Sequence, residues 1–271
     1  MIPRVSIHTH TKFCDGRNSV EEMVLSAIEQ GFSVIGFSGH SYIPGEDYWT
    51  MKEKGTDEYI AEVKRVREKY GDKIEILLGL EYDVLSRCDT REYDYIIGSV
   101  HFVKGKYGDI PVDLDVNTLK REVKESFGGD VYAFCEDYYR QLAEVCERTG
   151  CDVVGHFDLL MKFNENGQLF DESNERYRAL ALDCLEKLKN KDVIFEINTG
   201  AISRGYRTKP YPSRFILERM AELGLKITLT TDCHSTSALA CYYDEAIEYA
   251  RECGVRELWF PKDKKFVPYS I

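Results

Sequence analysis

Short apolar runs alternate with longer amphipathic stretches along the whole chain. Seven of the runs have the length of a strand and are rich in Val, Ile and Leu, as expected for strands buried on both faces of a parallel sheet. They are Val5–His8, Val34–Ser38, Ile74–Leu80, Tyr95–Val100, Val153–Gly155, Val193–Ile197 and Lys226–Thr230. A shorter run at Leu258–Phe260 is expected to close or edge the sheet.

Between the strands, apolar positions recur with the spacing of amphipathic helices. The first helix is predicted to begin at Asn18-Ser19 and to end at Gly31. Acidic side chains in its first turn, at Glu21 and Glu22, favour the positive end of the helix dipole. The remaining predicted helices are Asp57–Tyr70, Val131–Thr149, Asn174–Lys189, Ser213–Leu223 and Thr236–Cys253. Such alternation indicates βαβ units around a parallel sheet, so the predicted fold class is α/β.

The stretch 104–129 interrupts this alternation because it is longer and more polar than the other connections. We expect it to be an insertion over the mouth of a barrel, with a short helix near Leu119–Ser126. No repeat, low-complexity tract or linker divides the chain. A length of 271 residues fits one (β/α) barrel better than two ordinary domains, so residues 1–271 are predicted to form a single barrel domain.

The charge balance and the cysteines narrow the class of protein. The formal net charge of −11 disfavours binding to nucleic acid, and an anionic substrate would need a local positive attraction. No apolar stretch is long enough to span a membrane, and no export signal precedes the first strand. The nine cysteines are odd in number and lack C-x-x-C spacing, so we expect reduced thiols, mostly small core residues, in a cytoplasmic protein.

All six histidines fall at or just after the ends of predicted strands: His8, His10, His40, His101, His156 and His234. Acids lie among them, with Asp15 on the first loop, Glu81 after the third strand and Asp232 after the seventh. In a parallel barrel these strand ends share one face, where loops build the active site. A single histidine is more often a surface or satisfied core residue, but the whole set predicts a metal centre at this face.

The spacing within His8-Thr9-His10 is that of a strand, in which residues i and i+2 point to the same side. Both imidazoles can therefore face one ion, and Asp232 and His234 repeat the spacing. Imidazole and carboxylate ligands suit zinc, manganese or iron, and no cluster of thiolates indicates a structural zinc site. Nine candidate ligands exceed the needs of one tetrahedral ion and indicate two or three divalent metal ions.

The order of these motifs resembles that of the PHP family, named after polymerase and histidinol phosphatase. It runs H-x-H, D-G, H, E, H, H and finally D-x-H over the whole chain, and the segments His8–Gly16 and Ile97–Phe102 look most like histidinol-phosphate phosphatases. Amidohydrolases also open with H-x-H, but they need a lysine or similar bridge where this chain has His101, and they have no counterpart of His40. Cys14 stands where many PHP relatives carry serine, a small change that leaves the resemblance intact.

The resemblance implies a distorted (β/α)7 TIM-like barrel with its metal site at the C-terminal ends of the strands. It also implies three sets of ligands for three ions. They are His8, His10, Glu81 and Asp232 for the first; Glu81 as a bridge with His101 and His156 for the second; and Asp15, His40 and His234 for the third. In the mechanism that it implies, a metal-bridging hydroxide held through Glu81, Asp232 and His234 attacks phosphorus, because divalent cations lower the pKa of bound water.

Five further residues are candidates for substrate binding. Arg204, beyond the sixth strand, could hold a phosphate bidentately, with a solvated loop charge as the alternative. For Arg17, near the first loop, a surface role is favoured over phosphate binding. Tyr42 could stack on a ring of the substrate, as could Tyr206. Glu196 could face the barrel mouth and meet an amino group, or it could brace the metal ligands.

The resulting hypothesis is a metal-dependent phosphomonoesterase, an L-histidinol-phosphate phosphatase of histidine biosynthesis that forms L-histidinol and phosphate. An acidic mouth with Glu46, Asp47 or Asp158 would suit the ammonium group of this substrate, although each is more often a solvated acid. The alternatives are another PHP phosphoesterase, acting on nucleotide or other small phosphate esters, and a non-catalytic metal-binding PHP domain. The expected partner is a small phosphorylated metabolite, with no nucleic acid and no membrane, and the oligomeric state stays open.

Overall fold

A sheet of seven parallel strands lies at the centre of the computed structural model, which describes residues 2–271. Its strands, in spatial order, are β1 (Val5–Ser6), β2 (Val34–Phe37), β3 (Glu75–Asp83), β4 (Tyr95–Ser99), β7 (Val153–Val154), β8 (Ile194–Asn198) and β9 (Ile227–Thr230). The first and last strands meet just beyond their ends, where the His10 N–H donates to the Cys233 carbonyl at 2.9 Å. The sheet therefore forms a nearly closed barrel, as the sequence predicted.

Helices surround the barrel and cover the outward faces of its strands. They are α1 (Val20–Glu29), α2 (Glu53–Tyr70), α3 (Val116–Ser126), α4 (Val131–Leu142), α5 (Val145–Thr149), α6 (Glu175–Leu188), α7 (Gly200–Ser203), α8 (Arg214–Glu222) and α9 (Tyr243–Glu252). Short 3-10 turns occupy Leu159–Met161 and Thr236–Ala238. Helix α1 begins as predicted, because Ser19 and Glu22 cap each other's backbone N–H groups.

Two predicted helices are shorter than expected. Val131–Thr149 divides into α4 and α5, because the Glu144 N–H bonds to the Gln141 carbonyl and tightens the chain between them. Thr236–Cys253 becomes helical only from Tyr243, because Tyr242 has a left-handed φ of 58° that no α-helix accommodates.

The remaining elements are two antiparallel hairpins outside the barrel. Strands β5 (Phe102–Lys104) and β6 (Asp109–Pro111) pair at the start of the predicted insertion 104–129, with β5 beginning two residues before it, and the insertion also contains α3. Strands β10 (Glu257–Lys262) and β11 (Lys265–Ser270) pair only with each other. The expectation that Leu258–Phe260 closes or edges the main sheet is therefore wrong, since the backbone of this run pairs with β11 and not with a barrel strand.

The interior of the barrel away from the strand ends is filled by Tyr95. Its hydroxyl donates to the carbonyls of Ile7 and Phe37, which lie on two other strand segments. Gly36 and Gly79 face its ring, and a Cβ atom at either position would overlap the tyrosine. The two glycines thus allow one large aromatic side chain to pack at the centre of a narrow barrel.

Across residues 2–271, none of the helices combines the length and the apolar character that crossing a membrane requires.

Candidate metal centre

The carboxyl ends of the barrel strands bring the six histidines into one cluster. Ring centroids lie 5.2 Å apart for His8 and His10, 4.1 Å for His10 and His234, and 5.1 Å for His101 and His156. His40 joins them, with its ring 4.3 Å from that of His10. The i, i+2 spacing of the H-x-H motif works as expected, because both rings point to the barrel axis from the end of β1.

Glu81 lies at the centre of the cluster, and its two carboxylate oxygens face different histidines. Atom Oε2 lies 3.2 Å from His8 Nε2 and 2.8 Å from His40 Nδ1. Atom Oε1 lies 2.9 Å from His156 Nε2 and 3.3 Å from His101 Nε2. One carboxylate with imidazoles on both oxygens has the arrangement of a ligand that bridges two metal ions.

Three overlapping groups of side chains have donor atoms close enough to share an ion. The groups are His8, His10 and Asp232; His40, Glu81 and His101; and His10, Asp15, His40 and His234, with the donor atoms of each group within 4.8 Å of one another. Two ligands about 2.1 Å from one tetrahedral ion are about 3.4 Å apart. The separations of His10 Nε2 from Asp232 Oδ1, 3.1 Å, and of His40 Nε2 from Asp15 Oδ1, 3.7 Å, fall around this value.

Several of these donor atoms are not engaged in hydrogen bonds within the protein. His8 Nε2, His10 Nε2 and Glu81 Oε2 are buried and make no well-aligned hydrogen bond among the described residues, although oppositely charged groups lie close to them. Buried polar atoms are nearly always paired, and imidazole nitrogen and carboxylate oxygen are the ligands that divalent transition metals prefer. The residues present therefore fit a divalent metal centre.

The electrostatics of the cluster keep its acids ionised. Burial alone would raise the pKa of Glu81, but His40, His8 and His101 hold it well below the ordinary value. Burial lowers the pKa of His10 to about 3, and the neighbouring rings of His234 and His40 add to this effect. Anionic carboxylates and the neutral imidazole of His10 are in the protonation states that metal binding requires. Despite burial, the facing carboxylates raise the pKa values of His8 and His101 above the ordinary value, so a metal ion would have to displace protons from these two rings.

Close packing and backbone strain hold two of the acids in place. Asp232 has a φ of 43°, which is uncommon for a residue with a side chain and is the kind of strain found at functional sites. A Cβ atom on Gly200 would lie 2.7 Å from the Asp232 carboxylate. A Cβ atom on Gly16 would overlap the backbone of Thr11, so the glycine after Asp15 lets the first loop fold back on itself.

Buried carboxylates outside the cluster orient its histidines. Glu196 Oε1 lies 2.6 Å from His8 Nδ1, and its Oε2 accepts the His156 backbone N–H at 2.7 Å. Asp83 Oδ2 lies 3.0 Å from His101 Nδ1 and accepts the His101 backbone N–H at 3.0 Å. Such partners fix the ring orientation of metal-bound histidines. Sequence reasoning missed Asp83, although its position two residues after Glu81 on β3 places both carboxylates on one side of the strand.

A cavity of about 280 Å³ opens directly above the cluster. Its wall carries two cations, Arg204 and Lys162, and one additional acid, Asp113. Arg204 Nη2 donates to Asp232 Oδ2 at 3.2 Å, and Lys162 Nζ lies 3.0 Å from Asp113 Oδ2. The rim includes Tyr48 and Leu114 together with Trp49, Phe102 and Tyr206. Lys162 and Asp113 were not candidates from the sequence, because neither belongs to a motif and they lie 49 positions apart.

The predicted substrate residues take different places, and Tyr206 lies on the cavity rim. Arg204 lines the cavity, and the expectation of a phosphate contact stays open for it. Arg17 does not line this cavity and lies at a neighbouring pocket beside Asp15 and His234. Tyr42 does not line the cavity, whereas the nearby aromatic residues Tyr48 and Trp49 do. Glu196 is fully enclosed among the metal-site residues, which agrees with the bracing alternative and not with contact to an amino group.

Comparison with known proteins places this geometry in a family. The family model of the PHP domain matches residues 6–200. A probable histidinol-phosphatase of Schizosaccharomyces pombe is 29% identical over 94% of this chain and 88% of its own length. Two solved structures share the fold. A candidate histidinol phosphatase of Listeria monocytogenes has a TM-score of 0.79, is 21% identical, and covers 89% of this chain and 99% of its own.

The second solved structure is the histidinol phosphate phosphatase of Lactococcus lactis, in complex with zinc, L-histidinol and phosphate. It has a TM-score of 0.66 and is 24% identical over 97% of this chain and 98% of its own. The matched region of the PHP domain model, residues 6–200, contains seven of the nine candidate ligand residues, all except Asp232 and His234. On this match, which spans more than half of the sequence, the chain belongs to the PHP domain family.

Proposed function

We propose that this protein is a metal-dependent phosphomonoesterase that hydrolyses L-histidinol phosphate to L-histidinol and phosphate. The observation that carries the proposal is the Glu81 carboxylate, which has imidazoles on both oxygens at the floor of a cavity lined by two cations. The relatives' names supply the substrate, since the S. pombe protein is named a probable histidinol-phosphatase and resembles this chain over nearly its full length.

The metal content that we propose is two or three divalent ions, zinc, manganese or iron, held by the nine clustered residues. The ligands would be His8, His10, Asp15, His40, Glu81, His101, His156, Asp232 and His234. When bound, such ions activate water as a nucleophile at neutral pH and polarise the phosphoryl group. The three overlapping groups of donor atoms, which include all of these residues except His156, support more than one ion, because no single ion can use eight ligands.

The protein's own side chains orient and neutralise the reacting groups. Glu196 and Asp83 hold the rings of His8 and His101 in fixed orientations. Arg204, 28% exposed and directed at the cluster, can donate two hydrogen bonds to a phosphate that enters the cavity. Lys162, only 8% exposed, is a second cation on the cavity wall, where its ammonium pairs with the Asp113 carboxylate at 3.0 Å. These cations supply the local attraction for an anion that the net charge of −11 does not.

The rest of the cavity suits a small substrate with a cationic amine and an aromatic ring. Asp113 offers a carboxylate to an ammonium group. Trp49 and Phe102 provide aromatic faces beside the cluster, with the Trp49 ring 4.7 Å from that of His40. A volume of about 280 Å³ is near the lower end for small-molecule sites and suits a metabolite better than a polymer. A cytoplasmic location, expected from nine cysteines that are all free, stays a prediction.

The direct test measures phosphate release from L-histidinol phosphate and from a panel of nucleoside monophosphates, sugar phosphates and p-nitrophenyl phosphate. We expect kcat/KM for L-histidinol phosphate to exceed that for each other ester by about 100-fold or more. Dialysis against a chelator should abolish activity, and added zinc or manganese should restore it. Elemental analysis of the active protein should find two or three equivalents of metal.

Glu81→Gln provides the matched test of the metal centre, because it keeps the size of the side chain but removes the charge shared by the histidines. We expect activity to fall by about 1000-fold or more, together with loss of bound metal. Faster hydrolysis of a nucleotide or a sugar phosphate would contradict the substrate and leave the metal centre standing. Full activity in metal-free protein would contradict the mechanism itself.

A further inference from the structure

Two cysteine side chains meet near the amino end of β7. Cys146 lies at the start of α5, and Cys151 comes two residues before β7. Their sulfur atoms are 4.0 Å apart, and the Cys151 thiol donates a hydrogen bond to Cys146. The metal cluster lies at the carboxyl ends of the parallel strands, so this pair of thiols lies at the opposite end of the barrel.

Gly150 brings the two cysteines together by turning the chain at the end of α5. It has a left-handed φ of 65°, in which a residue with a side chain would be strained. Its N–H donates to the Cys146 carbonyl at 2.9 Å, and the chain then returns so that Cys151 lies against Cys146. The contact between the sulfur atoms therefore follows from the way in which the helix ends.

The two thiols have different surroundings. Cys151 is only 6% exposed and packs against Gly98 of β4, where an added Cβ atom would lie 2.8 Å from its sulfur. Cys146 is partly exposed. The hydrogen bond from Cys151 lowers the pKa of the Cys146 thiol against the effect of burial, and Lys191 lowers it further although Glu147 opposes this. One thiol is thus open to solvent and easier to ionise, and the other is enclosed beside it.

Among the nine cysteines, all of which lie within residues 2–271, Cys146 alone has a pKa below the ordinary value. Cys88 is also partly exposed, but burial raises the pKa of its thiol to about 11. Because the thiolate is the form that reacts with oxidants, Cys146 should react before Cys88 does. An accessible thiol of low pKa beside a second cysteine is the arrangement found in redox-sensing proteins.

The approach of the two sulfur atoms is the remaining requirement for a bond between them. A disulfide bond is about 2 Å long, so the atoms must move together by about 2 Å from their present separation. Cys146 belongs to a helix of only five residues, in which Glu147 and Arg148 are exposed. A short helix at the surface can shift by this distance without disturbing the barrel strands.

We propose that Cys146 and Cys151 form a reversible oxidation site, at which a peroxide converts the two thiols into an intramolecular disulfide. The Cys146 thiolate attacks a peroxide oxygen, and the O–O bond breaks to leave a sulfenic acid and hydroxide. The Cys151 sulfur then attacks the Cys146 sulfur. The S–S bond forms, the S–O bond breaks, and the oxygen leaves as water with the proton of the Cys151 thiol. Two thiols and one hydrogen peroxide thus give one disulfide and two waters, and a dithiol reverses the change by exchange.

The test treats the zinc-loaded protein, reduced and then freed of reductant, with hydrogen peroxide and blocks the remaining thiols with N-ethylmaleimide. Arg148 lies between the two cysteines, so trypsin separates them into peptides 141–148 and 149–162. We expect mass spectrometry to find these two peptides joined, with a mass two hydrogens below their sum. Dithiothreitol added before the blocking step should return both as separate peptides with free thiols.

Cys88 is the matched control for reactivity, because it is partly exposed like Cys146 and has a raised pKa. We expect peroxide to consume the Cys146 thiol about tenfold faster than the Cys88 thiol. In Cys151→Ala, oxidation should stop at the sulfenic acid of Cys146, which dimedone traps as a stable adduct. Cys88→Ala should form the joined peptides at the same rate as the wild-type protein.

Oxidation of Cys146 without formation of the joined peptides would overturn the proposal, as would a disulfide from either cysteine to a different partner. A Cys146 thiol that reacts no faster than Cys88 would overturn it as well. The wild-type peptide map decides the matter by itself if Cys151→Ala does not fold. None of these measurements uses phosphate release, so a protein that fails to hydrolyse L-histidinol phosphate would defeat the proposed function and leave the oxidation site standing.

Discussion

The carboxylate of Asp83 touches no part of the cavity, yet it contacts His101 at two points. Its Oδ2 lies 3.0 Å from the ring Nδ1 and accepts the backbone N–H at the same distance. Asp83→Asn would keep the shape but remove the charge that orients and polarises the ring. We expect the affinity for zinc to fall by about 10- to 100-fold, measured by competition with a fluorescent chelator.

Asp72→Asn is the control for this experiment, because Asp72 is an exposed acid on the turn before β3. Its zinc affinity should equal that of the wild-type protein. An unchanged affinity in Asp83→Asn would mean that His101 is not a metal ligand or that its orientation is fixed by packing alone.

The fluorescence of Trp49 can report on metal binding by the same cluster. Its ring lies 4.7 Å from that of His40 and 5.4 Å from that of His101, while Trp259, the second of the two tryptophans, lies on β10. In Trp259→Phe, we expect cobalt to quench the remaining fluorescence strongly, because a paramagnetic ion bound by these histidines would be in near contact with the indole. Trp49→Phe, with Trp259 intact, should show little quenching, and equal quenching in both variants would place the ion elsewhere.

At the scale of secondary structure, the barrel depends on glycines that make room for Tyr95. A Cβ atom on Gly79 would overlap the Tyr95 ring, which is only 2% exposed and has no free space to move into. Gly79→Ala should therefore lower the free energy of unfolding by about 1–3 kcal/mol through overpacking. Urea denaturation followed by circular dichroism measures the change.

Gly55→Ala makes the same chemical change in a different place and should have the opposite effect on the free energy of unfolding. Gly55 lies within α2, and the nearest atom to its added Cβ is 3.8 Å away. Alanine there should stabilise the protein by roughly 0.5–1 kcal/mol, because it favours the helix. If Gly79→Ala were as stable as the wild-type protein, the packing described for the barrel interior would be wrong.

The elements and residues that the sequence predicted are those with a local signal. Periodic apolar runs predicted the seven barrel strands to within a few residues, and the spacing of His8 and His10 predicted that both rings share one side. Lys162 and Asp113 carry no such signal, since their contact joins loops 49 positions apart. The sequence also could not decide whether Glu196 faces the barrel mouth or braces the metal ligands. Alternation along β8 predicts on which side of the strand its side chain lies, but not how deep in the barrel it lies.

The hairpin of β10 and β11 shows a different limit of sequence reasoning. Its apolar run at Leu258–Phe260 has the composition of a barrel strand, and Leu258 and Phe260 are fully buried. Their backbone groups nevertheless pair with β11 outside the barrel. Burial is encoded in residue types, whereas the choice of a pairing partner depends on chain geometry that a short run does not contain.

For the molecule as a whole, the metal centre links segments that are far apart in the chain. Candidate ligand residues lie at or after the ends of six of the seven barrel strands, and the seventh, β8, contributes Glu196, which contacts His8 and His156. The same cluster closes the barrel, since His8 and His10 lie where the chain after β1 pairs with the chain after β9. The stability of the whole barrel should therefore depend on whether the cluster holds its ions.

Removal of metal should lower the melting temperature of the protein by about 10 °C, because ligand at 1000 times its Kd stabilises a folded chain by about 4 kcal/mol. Calorimetric scans with zinc and with a chelator at pH 7.5 measure this difference. The difference in melting temperature should become smaller towards pH 5, since protons compete with zinc for the imidazoles. Burial alone would lower the pKa of His8, but Glu196, Asp232 and Glu81 hold it above its usual value. His8 takes up its proton early as the pH falls, so the zinc-dependent stabilisation should be lost on the acid side and not on the alkaline side. A difference that stays constant from pH 7.5 to pH 5 would show that these histidines do not bind the metal.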